Sequence, residues 1–418
     1  MRKLLLFLLV FSVVGCGSPA VGPDLPTDQE PGEEPGEDPG EDPGEDPGED
    51  PGEDPGEDPG EDPGEDPGQE PEPCARYQER IDGACSDVTP IGLESRELSF
   101  VRDGYELRGT LVLPVTEGSY LPPVFVLAHG SGPNDRDETA SANLGYHYGQ
   151  DIPTFRLLAE GLAKAGAAVF RFDKRTCFRE NSDGRCPTSY RDYPGFLDDI
   201  LVDDFVEDLR AAVRTVADLH ELVDGKDITV IGHSEGANFV PQVADEPGVV
   251  AGVQLAGASL PIDQVAPEQL RAFADDLETY GERYAADVAA LRARADEYEL
   301  ALSQIRAGTY PSDSFDGAPV RYWKNWMDRT DHLQEEFLAM SKPILLLNGD
   351  RDYNVVPSHL ERFRSWGAAH ATCKIVPNVT HSFVQLTSNA SDIKELFSKR
   401  ALDMIMVWHR SLSFSEGS

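Results

Sequence analysis

The sequence has no cluster of basic side chains. Its 418 residues include 36 Lys and Arg against 76 Asp and Glu, and the formal net charge is −40. Proteins that bind nucleic acid need a basic surface that displaces counterions from the phosphates. We therefore expect no nucleic-acid partner.

The apolar run at the amino terminus is too short to span a membrane. It covers residues 4–14 and follows Arg2 and Lys3, whereas a spanning helix needs about 20 apolar residues. A short apolar run behind positive charges is typical of an export signal.

The end of this run predicts a lipid anchor. Residues 13–17 read VVGCG and resemble the lipobox of bacterial lipoproteins, in which the cysteine is acylated and becomes the mature amino terminus. The resemblance implies a signal peptide over residues 1–15, lipid chains on Cys16, and an exported protein anchored to a membrane of the bacterial cell envelope. The alternative is an ordinary signal peptide cleaved near Gly15 or Ala20.

Histidine pairs with the spacing of a metal site are also lacking. Apart from His129 and His381, which are discussed below, the seven other histidines are scattered, at positions 147, 220, 233, 332, 359, 370 and 409. Metal sites typically draw two ligands from closely spaced positions. We predict neither a metal ion nor an organic cofactor, and we expect His332 and His359 to lie solvated on helix surfaces.

An acidic repeat follows the signal sequence. Ten tetrads of the type Pro-Gly-Glu-Asp start at every fourth residue from Pro31 to Pro67, and residues 24–73 contain 23 acidic side chains and no basic one. Proline lacks a backbone N–H and the carboxylates repel one another, so we predict a disordered linker over residues 16–73 that reaches at most about 180 Å. Calcium binding is the alternative, but nothing in the tract would gather the roughly six to eight oxygens that calcium takes.

Cysteine is scarce, with six residues in the chain. In an exported protein we predict two local disulfides, one from Cys74 to Cys85 that closes a lead-in over residues 74–93, and one from Cys177 to Cys186. Their short separations favour these pairs, although spacing alone does not exclude crossed ones. Cys373 is left over in an apolar run, and we expect a buried, reduced thiol.

From residue 94 onward, apolar strand-like runs alternate with amphipathic helical patterns. Runs at 97–101 and 106–113 flank Asp103-Gly104, a turn dipeptide that favours a hairpin. Further strands are predicted at 124–129, 167–173, 227–232, 249–256, 343–348 and 372–376, and helices at 153–165, 198–219, 237–244, 357–366 and 391–411. This alternation predicts an α/β fold with a mostly parallel sheet covered on both faces, and with the hairpin at its antiparallel edge.

One motif on this background carries chemistry. Residues 232–236 read GHSEG, directly after a predicted strand and before a predicted helix. That arrangement is typical of a nucleophile elbow, in which flanking glycines leave room around a serine on a strained turn. Ser234 is therefore a candidate nucleophile, and the adjacent helix N-terminus can stabilise an oxyanion.

A nucleophilic serine needs a base, and the base needs an acid that fixes its tautomer. Two loops at the ends of later strands supply candidates. Asp350 and Asp352 follow the strand at 343–348, and His381 follows the strand at 372–376. Residue type does not choose between the two aspartates, but Asp350 directly follows Gly349 and is better placed to cap the turn.

Together with two further motifs, these residues identify a family resemblance. Residues 129–137 read HGSGPNDRD and residues 173–175 read DKR, each after a predicted strand. With GHSEG and the chain order serine, aspartate, histidine, residues 95–412 resemble the α/β-hydrolase superfamily and, within it, the serine esterase and serine aminopeptidase-like group. The resemblance implies the α/β-hydrolase fold over residues 94–418, with a mostly parallel sheet flanked by helices and a helical cap inserted in the chain.

The resemblance also implies roles for single residues. In that family the acid follows the strand-end glycine by three positions, which selects Asp352, and the oxyanion hole is built from backbone N–H groups, here those of Glu235 and Ser131. The family usually continues DKR with a glycine-rich turn, whereas the predicted disulfide loop begins here at Thr176, so the shape of that pocket wall is left open. We expect the remaining polar residues of the HGSGPNDRD loop to be structural: His129, Asp135, Arg136 and Asp137.

A long insertion predicts the cap. More than eighty residues separate the strands ending near Ala258 and starting at Pro343, too many for a loop. A helical pattern over 269–305 and a second helical piece carrying Tyr322, Trp323 and Trp326 place the cap at about 262–340. We expect most of these aromatic side chains to pack the cap on the core, with one or two lining an apolar pocket.

These observations predict a serine hydrolase that cleaves carboxylic esters of small or medium molecules through an acyl-enzyme. Ser234 is the nucleophile, His381 the base, and Asp352 the acid that orients it. A peptidase or amidase of the same fold is the first alternative, because the same three residues serve both reactions. A surface-displayed binding protein with a degenerate hydrolase domain is the second.

Overall fold

The structure is a computed structural model that describes residues 74–140, 151–177, 186, 197–386, 393–395 and 397–412. The predicted signal peptide, Cys16 and the acidic linker lie outside these residues. In chain order the strands are β1 (Gln78–Ile81), β2 (Ala84–Asp87), β3 (Gly92–Arg102), β4 (Tyr105–Val115), β5 (Pro123–Ala128), β6 (Thr139–Ala140), β7 (Ile152–Pro153), β8 (Ala168–Phe172), β9 (Asp224–His233), β10 (Val249–Leu255), β11 (Ser314–Phe315), β12 (Ala318–Pro319), β13 (Ile344–Gly349), β14 (Ala371–Val376), β15 (Gln385–Leu386) and β16 (Ile393–Glu395).

Eight of these strands form one sheet in the order β14, β13, β10, β9, β5, β8, β4, β3. The six strands from β14 to β8 run parallel to their neighbours, while β4 is antiparallel to both β8 and β3. Every residue of β5, β8 and β13 is buried, as expected for strands covered on both faces. This arrangement confirms the mostly parallel sheet and its antiparallel hairpin edge.

The hairpin at that edge turns where the sequence predicts. Asp103 and Gly104 both have positive φ angles, 49° and 82°. Two successive residues in this region make the turn whose twist matches that of the flanking strands, and Asp-Gly supplies it at little steric cost. As a result, β3 and β4 pair over their full length from Gly92 opposite Val115 to Arg102 opposite Tyr105.

Helices cover both faces of the sheet and fill the insertion between β10 and β13. Each flanking helix buries one face, as α2 does with Phe205, Leu209 and Val213. The α-helices are α1 (Thr154–Lys164), α2 (Val202–Ala217), α3 (Ile262–Glu278), α4 (Ala285–Ala307), α5 (Val320–Asp331), α6 (Leu333–Ala339), α7 (Ser358–Ser365) and α8 (Lys399–Arg410). None of the helices in the described part of the chain has the length and apolar character needed to cross a membrane.

Two predicted helices are interrupted, each at an identifiable residue. The helix expected at 237–244 is replaced by two short 3-10 helices, Ser234–Phe239 and Pro241–Val243, because Pro241 has no N–H for an α-helical bond. The helical pattern over 269–305 is divided between α3 and α4, since Gly281 adopts a φ of 98° that a helix does not allow. The insertion, residues 262–340, is called the cap below.

Both predicted disulfides are present, between Cys74 and Cys85 and between Cys177 and Cys186. The first links the segment before β1 to β2, which pairs with β1 in a small hairpin. Cys373 is unpaired as expected, but it is half-buried rather than buried, because it lies on β14 at the edge of the sheet. Partial burial still raises the pKa of its thiol.

Candidate active site

Ser234 lies at a sharp turn directly after β9. Its φ of 53° is in the left-handed region, which strains a residue with a side chain. The turn is close-packed, because a Cβ on Gly232 would come within 2.1 Å of the Gly236 carbonyl oxygen and one on Gly236 within 2.3 Å of the Ala128 carbonyl oxygen. The two glycines of GHSEG are therefore required by the close approach of backbone to backbone.

The loops after β13 and β14 bring an acid and a base together. Asp352 Oδ2 lies 2.9 Å from His381 Nδ1, and both side chains are buried. The other carboxylate oxygen of Asp352 accepts backbone N–H bonds from Asn354 and Val355, at 2.8 and 2.9 Å. An anchored carboxylate facing Nδ1 holds the proton on that nitrogen and leaves Nε2 as the acceptor.

Asp350, the other candidate acid, faces elsewhere. It is exposed, and its Oδ1 accepts a hydrogen bond from the Asn378 backbone N–H at 2.5 Å. This contact ties the turn after β13 to the turn after β14. Asp350 is thus placed as the turn cap that the sequence suggests, while Asp352 reaches the histidine.

His381 is held against the nucleophile elbow through His233, the residue before Ser234. His233 Nε2 donates to the backbone oxygen of His381 at 2.9 Å, and the two imidazole rings lie 4.8 Å apart between centroids. Ser234, His381 and Asp352 therefore follow the carboxyl ends of β9, β14 and β13. Because these strands are parallel, the three residues lie at the same end of the strands.

The loop after β5, which carries Gly130 and Ser131, approaches Ser234. A Cβ on Gly130 would lie 3.1 Å from the Ser234 Cβ, so this glycine also permits a close approach. Ser131, Ser234 and Glu235 line one cavity. The two residues whose backbone N–H groups are candidates for an oxyanion hole therefore flank the serine.

A buried ion pair beneath the elbow was not predicted from the sequence. Glu138 Oε1 accepts the Gly130 N–H at 2.5 Å, and its Oε2 lies 3.1 Å from His233 Nδ1. Burial alone would lower the pKa of His233, but the carboxylate of Glu138 raises it above its ordinary value. Burial would likewise raise the pKa of Glu138, yet the facing imidazole ring of His233 lowers it. Glu138 thus joins the loop after β5 to the residue before Ser234.

A second buried pair joins the same two segments. Lys174 Nζ donates to Glu235 Oε2 at 2.8 Å and to the Gly130 backbone oxygen at 2.9 Å. The side chains of Lys174 and Glu235 are only 4% and 1% exposed. Lys174 belongs to the DKR motif, so the motif did point to this position, but nothing in the sequence shows that its partner is Glu235.

We expect Lys174→Met to destabilise the fold by about 3–5 kcal/mol, because it leaves the Glu235 carboxylate buried without its partner. Replacing both residues by methionine should recover much of that loss. The control is Lys399→Met, which removes the exposed pair with Asp403 and should cost below about 0.5 kcal/mol. Urea unfolding measures all three variants, and equal losses for Lys174→Met and Lys399→Met would contradict the prediction.

The polar residues of the HGSGPNDRD loop have the structural contacts expected of them. Arg136 forms a salt bridge with Asp173 at 2.8 Å, and Asp137 pairs with Arg171. Burial lowers the pKa of His129 to about 4, so its ring is neutral near neutral pH and packs against Phe155.

The expectation that His359 is solvated is wrong. Its side chain is 2% exposed because α7 packs it against the loop after β10. His359 Nδ1 accepts from the Ser259 backbone N–H at 3.0 Å, and Nε2 lies 2.7 Å from Glu268 of α3. His359 therefore connects the body of the fold to the cap. His332 is exposed as expected, with 64% of its side chain accessible.

The cavity over Ser234 is narrow, and half of the residues that line it are apolar. It offers about 30 Å³, room for one or two water molecules. Trp326 is the one aromatic side chain of the cap that lines it; the other lining residues are Ser131, Ser234, Glu235, Asn238, Ala258, Leu260, Ile262, Val265, Gln269, Thr330 and Val355. A larger cavity of about 460 Å³ shares no lining residue with it.

Within the described ranges, no group of three or more His, Cys, Asp or Glu side chains is placed to hold a metal ion. The arrangement that is present can carry out nucleophilic acyl transfer: a strained serine, an oriented histidine with a free Nε2, and backbone N–H groups beside the serine. The pocket wall after Cys177 lies largely outside the described residues.

Comparison with known proteins finds both a similar sequence and similar structures. The chain is 28% identical over 328 residues to the esterase EstD of Thermotoga maritima, covering 77% of this chain and 68% of the relative. Among solved structures it is similar to the esterase domain of a Rhodothermus marinus protein, at 16% identity and a TM-score of 0.43, covering 76% of this chain and 98% of that domain. Est1E of Butyrivibrio proteoclasticus is a further similar structure, at 15% identity and a TM-score of 0.42, covering 75% and 96% of the two chains.

The family profile of the alpha/beta hydrolases matches residues 125–393. This range holds the HGSGPNDRD segment after β5, the turn at Ser234, the cap and the loops that carry Asp352 and His381. The chain therefore belongs to the alpha/beta hydrolase family.

Proposed function

We propose that this protein is a serine hydrolase that cleaves carboxylic esters of small or medium molecules. The observation that carries the proposal is the Asp352–His381 hydrogen bond of 2.9 Å, formed beside a nucleophile elbow that presents Ser234 to a cavity. The similarity to an esterase at 28% identity supports the ester as the substrate bond.

In the proposed reaction, Ser234 Oγ attacks the ester carbonyl carbon while His381 Nε2 takes its proton. The N–H groups of Glu235 and Ser131 stabilise the resulting oxyanion. Collapse of the tetrahedral intermediate breaks the bond to the alcohol, which leaves with the proton from His381. Water then attacks the acyl-enzyme with His381 again as base, and releases the carboxylic acid and free Ser234.

The cap sets the size of the substrate in this proposal. The side chains of α3 and α5 that reach the cavity, among them Val265 and Trp326, leave too little room for an ester in the present conformation. The cap helices therefore have to shift for a substrate to enter, which is a common gating step in enzymes. The apolar lining supports an uncharged substrate with an apolar portion.

We expect the fragment from residue 74 onward to hydrolyse p-nitrophenyl esters of short and medium acyl length. Its kcat/KM for the corresponding p-nitroanilides should be lower by at least about a hundredfold. The physical reason is that an amide carbonyl is less electrophilic and its leaving nitrogen must be protonated. A preference for the anilides would instead support a peptidase, and failure of a fluorophosphonate probe to label Ser234 would support a non-catalytic binding protein.

We further propose that the enzyme is displayed in the bacterial cell envelope through lipid on Cys16. The VVGCG run and the acidic linker behind it support this anchor and spacer. Cys16→Ser is expected to release the protein from membranes with unchanged ester hydrolysis. The substitution removes the site of lipid attachment, and two or more acyl chains are needed for stable anchoring. Membrane fractionation measures the release, and an active Cys16→Ser protein that stays in the membrane fraction would refute the anchor.

A further inference from the structure

Two residues that line the cavity over Ser234 carry side-chain carboxamides that make no hydrogen bond to any residue the structure describes. Asn238 is 6% exposed, and its Oδ1 is buried with nothing in the structure to pair with it. Gln269, half-buried on α3, lines the same cavity and makes no side-chain hydrogen bond to any described residue. Both residues therefore belong to the cavity wall, and the buried Oδ1 of Asn238 is left unpaired there.

An unpartnered carboxamide in such a place is costly. Burying an amide without a hydrogen bond is unfavourable, and buried polar groups in folded proteins are nearly always paired. The cost is avoidable here, since a leucine would fill the space of Asn238 among the apolar neighbours of the cavity. A partner that arrives with the substrate explains the amide, because the bond is then made only in the complex.

The remaining wall of the cavity restricts what that partner can be. Six lining side chains are apolar: Ala258, Leu260, Ile262, Val265, Trp326 and Val355. The lining carboxylate, that of Glu235, is neutralised by Lys174 at 2.8 Å. A charged substituent would lose its hydration without gaining a counter-charge, whereas a neutral polar group would lose hydration and gain a hydrogen bond.

We propose that Asn238, assisted by Gln269, is a specificity-determining residue that selects esters with a neutral hydroxyl close to the scissile carbonyl, on an otherwise apolar substrate. A carboxamide can turn either its oxygen or its nitrogen towards the ligand, and a hydroxyl both donates and accepts. The pairing therefore works in either orientation of the amide. This inference rests on the proposed ester hydrolysis at Ser234 and names the class of ester.

The test uses pairs of esters that differ by a hydroxyl in place of a methyl group. In the acyl arm, p-nitrophenyl β-hydroxybutyrate is compared with p-nitrophenyl isovalerate. In the alcohol arm, the butyrate monoester of propylene glycol is compared with isobutyl butyrate. The measured quantity is the ratio of kcat/KM for the hydroxyl ester to that for its methyl counterpart.

We expect the native protein to favour the hydroxyl ester by about tenfold or more in at least one arm, since a site built to pair a hydroxyl rejects the analogue without it. Asn238→Leu should bring that ratio close to unity, and Gln269→Leu should lower it by a smaller factor. The matched control is Gln264→Leu on the exposed side of α3, which should leave the ratio unchanged. If Asn238→Leu does not fold, the ratio of kcat/KM values measured for Gln269→Leu still tests the inference.

Equal ratios in the native protein and in Asn238→Leu, in both arms, would overturn the inference. The amide of Asn238 would then serve to bind a water molecule rather than the substrate. Calorimetry on Ser234→Ala compares the affinities for the same hydroxyl and methyl esters without turnover. Absence of hydrolysis would then count against the proposed function. Absence of a hydroxyl preference in binding would count against the role of Asn238.

Discussion

Ser234→Ala is expected to lower kcat for p-nitrophenyl esters by about 10⁶ while the protein stays folded. Removing the nucleophile leaves only the N–H groups beside Ser234 and substrate binding to accelerate the reaction, and a comparable loss is typical when the serine of such a triad is removed. The backbone at this position keeps its left-handed φ of 53°, which alanine tolerates about as well as serine. Steady-state kinetics and circular dichroism measure the two effects.

The control for this variant is Ser95→Ala. Ser95 lies exposed on β3, on the hairpin at the far edge of the sheet from β14. Its loss should change neither the rate nor the melting temperature. A Ser234→Ala protein that retains a tenth or more of the native rate would show that another residue is the nucleophile.

Asp352→Asn is expected to reduce turnover by about 10⁴. The asparagine oxygen will keep the two backbone N–H bonds of Asn354 and Val355 that Asp352 Oδ1 accepts now. Its NH₂ group then faces His381 Nδ1 in place of the carboxylate oxygen at 2.9 Å. Because an NH₂ donates, Nδ1 becomes the acceptor, the proton moves to Nε2, and the histidine can no longer take the proton of Ser234.

Asp350→Asn is the matched control, with the same chemical change two residues away. Within the described loops, the side chain of Asp350 accepts a hydrogen bond from the Asn378 backbone N–H, and asparagine can accept the same bond. We expect most of the activity to remain, with a loss of at most about 1 kcal/mol in stability. An inactive Asp350→Asn together with an active Asp352→Asn would reverse the assignment of the acid.

The mostly parallel sheet was predictable because strands buried on both faces leave a clear pattern. The runs that became β5, β9, β10 and β13 are rich in Val, Ile and Leu, and helices with one apolar face separate most of them. The hairpin was equally clear, since Asp103-Gly104 supplies two positive φ angles. These signals are local, so the sequence contains them without reference to the rest of the fold.

Helix ends were less predictable. A helical pattern in the cap continues across Gly281, and the periodicity after Ser234 continues across Pro241, yet both elements break at these residues. The residues next to His359 in the sequence indicate an exposed position on a helix. His359 is nevertheless buried, because Ser259 and Glu268 supply its hydrogen bonds. Such partners lie about ninety or more residues away, where periodicity carries no information.

By itself the sequence determined the family, the class of fold and the candidate serine, acid and base, because each depends on a short motif at the end of a strand. Tertiary structure alone decided which groups surround that site. Lys174 meets Glu235 across 61 residues, Glu138 meets His233, and Asn238 is left without a partner in the cavity. The physical reason is that a buried charge or amide is stabilised or left unpaired by whatever the fold packs against it, and that contact has no counterpart in the local sequence.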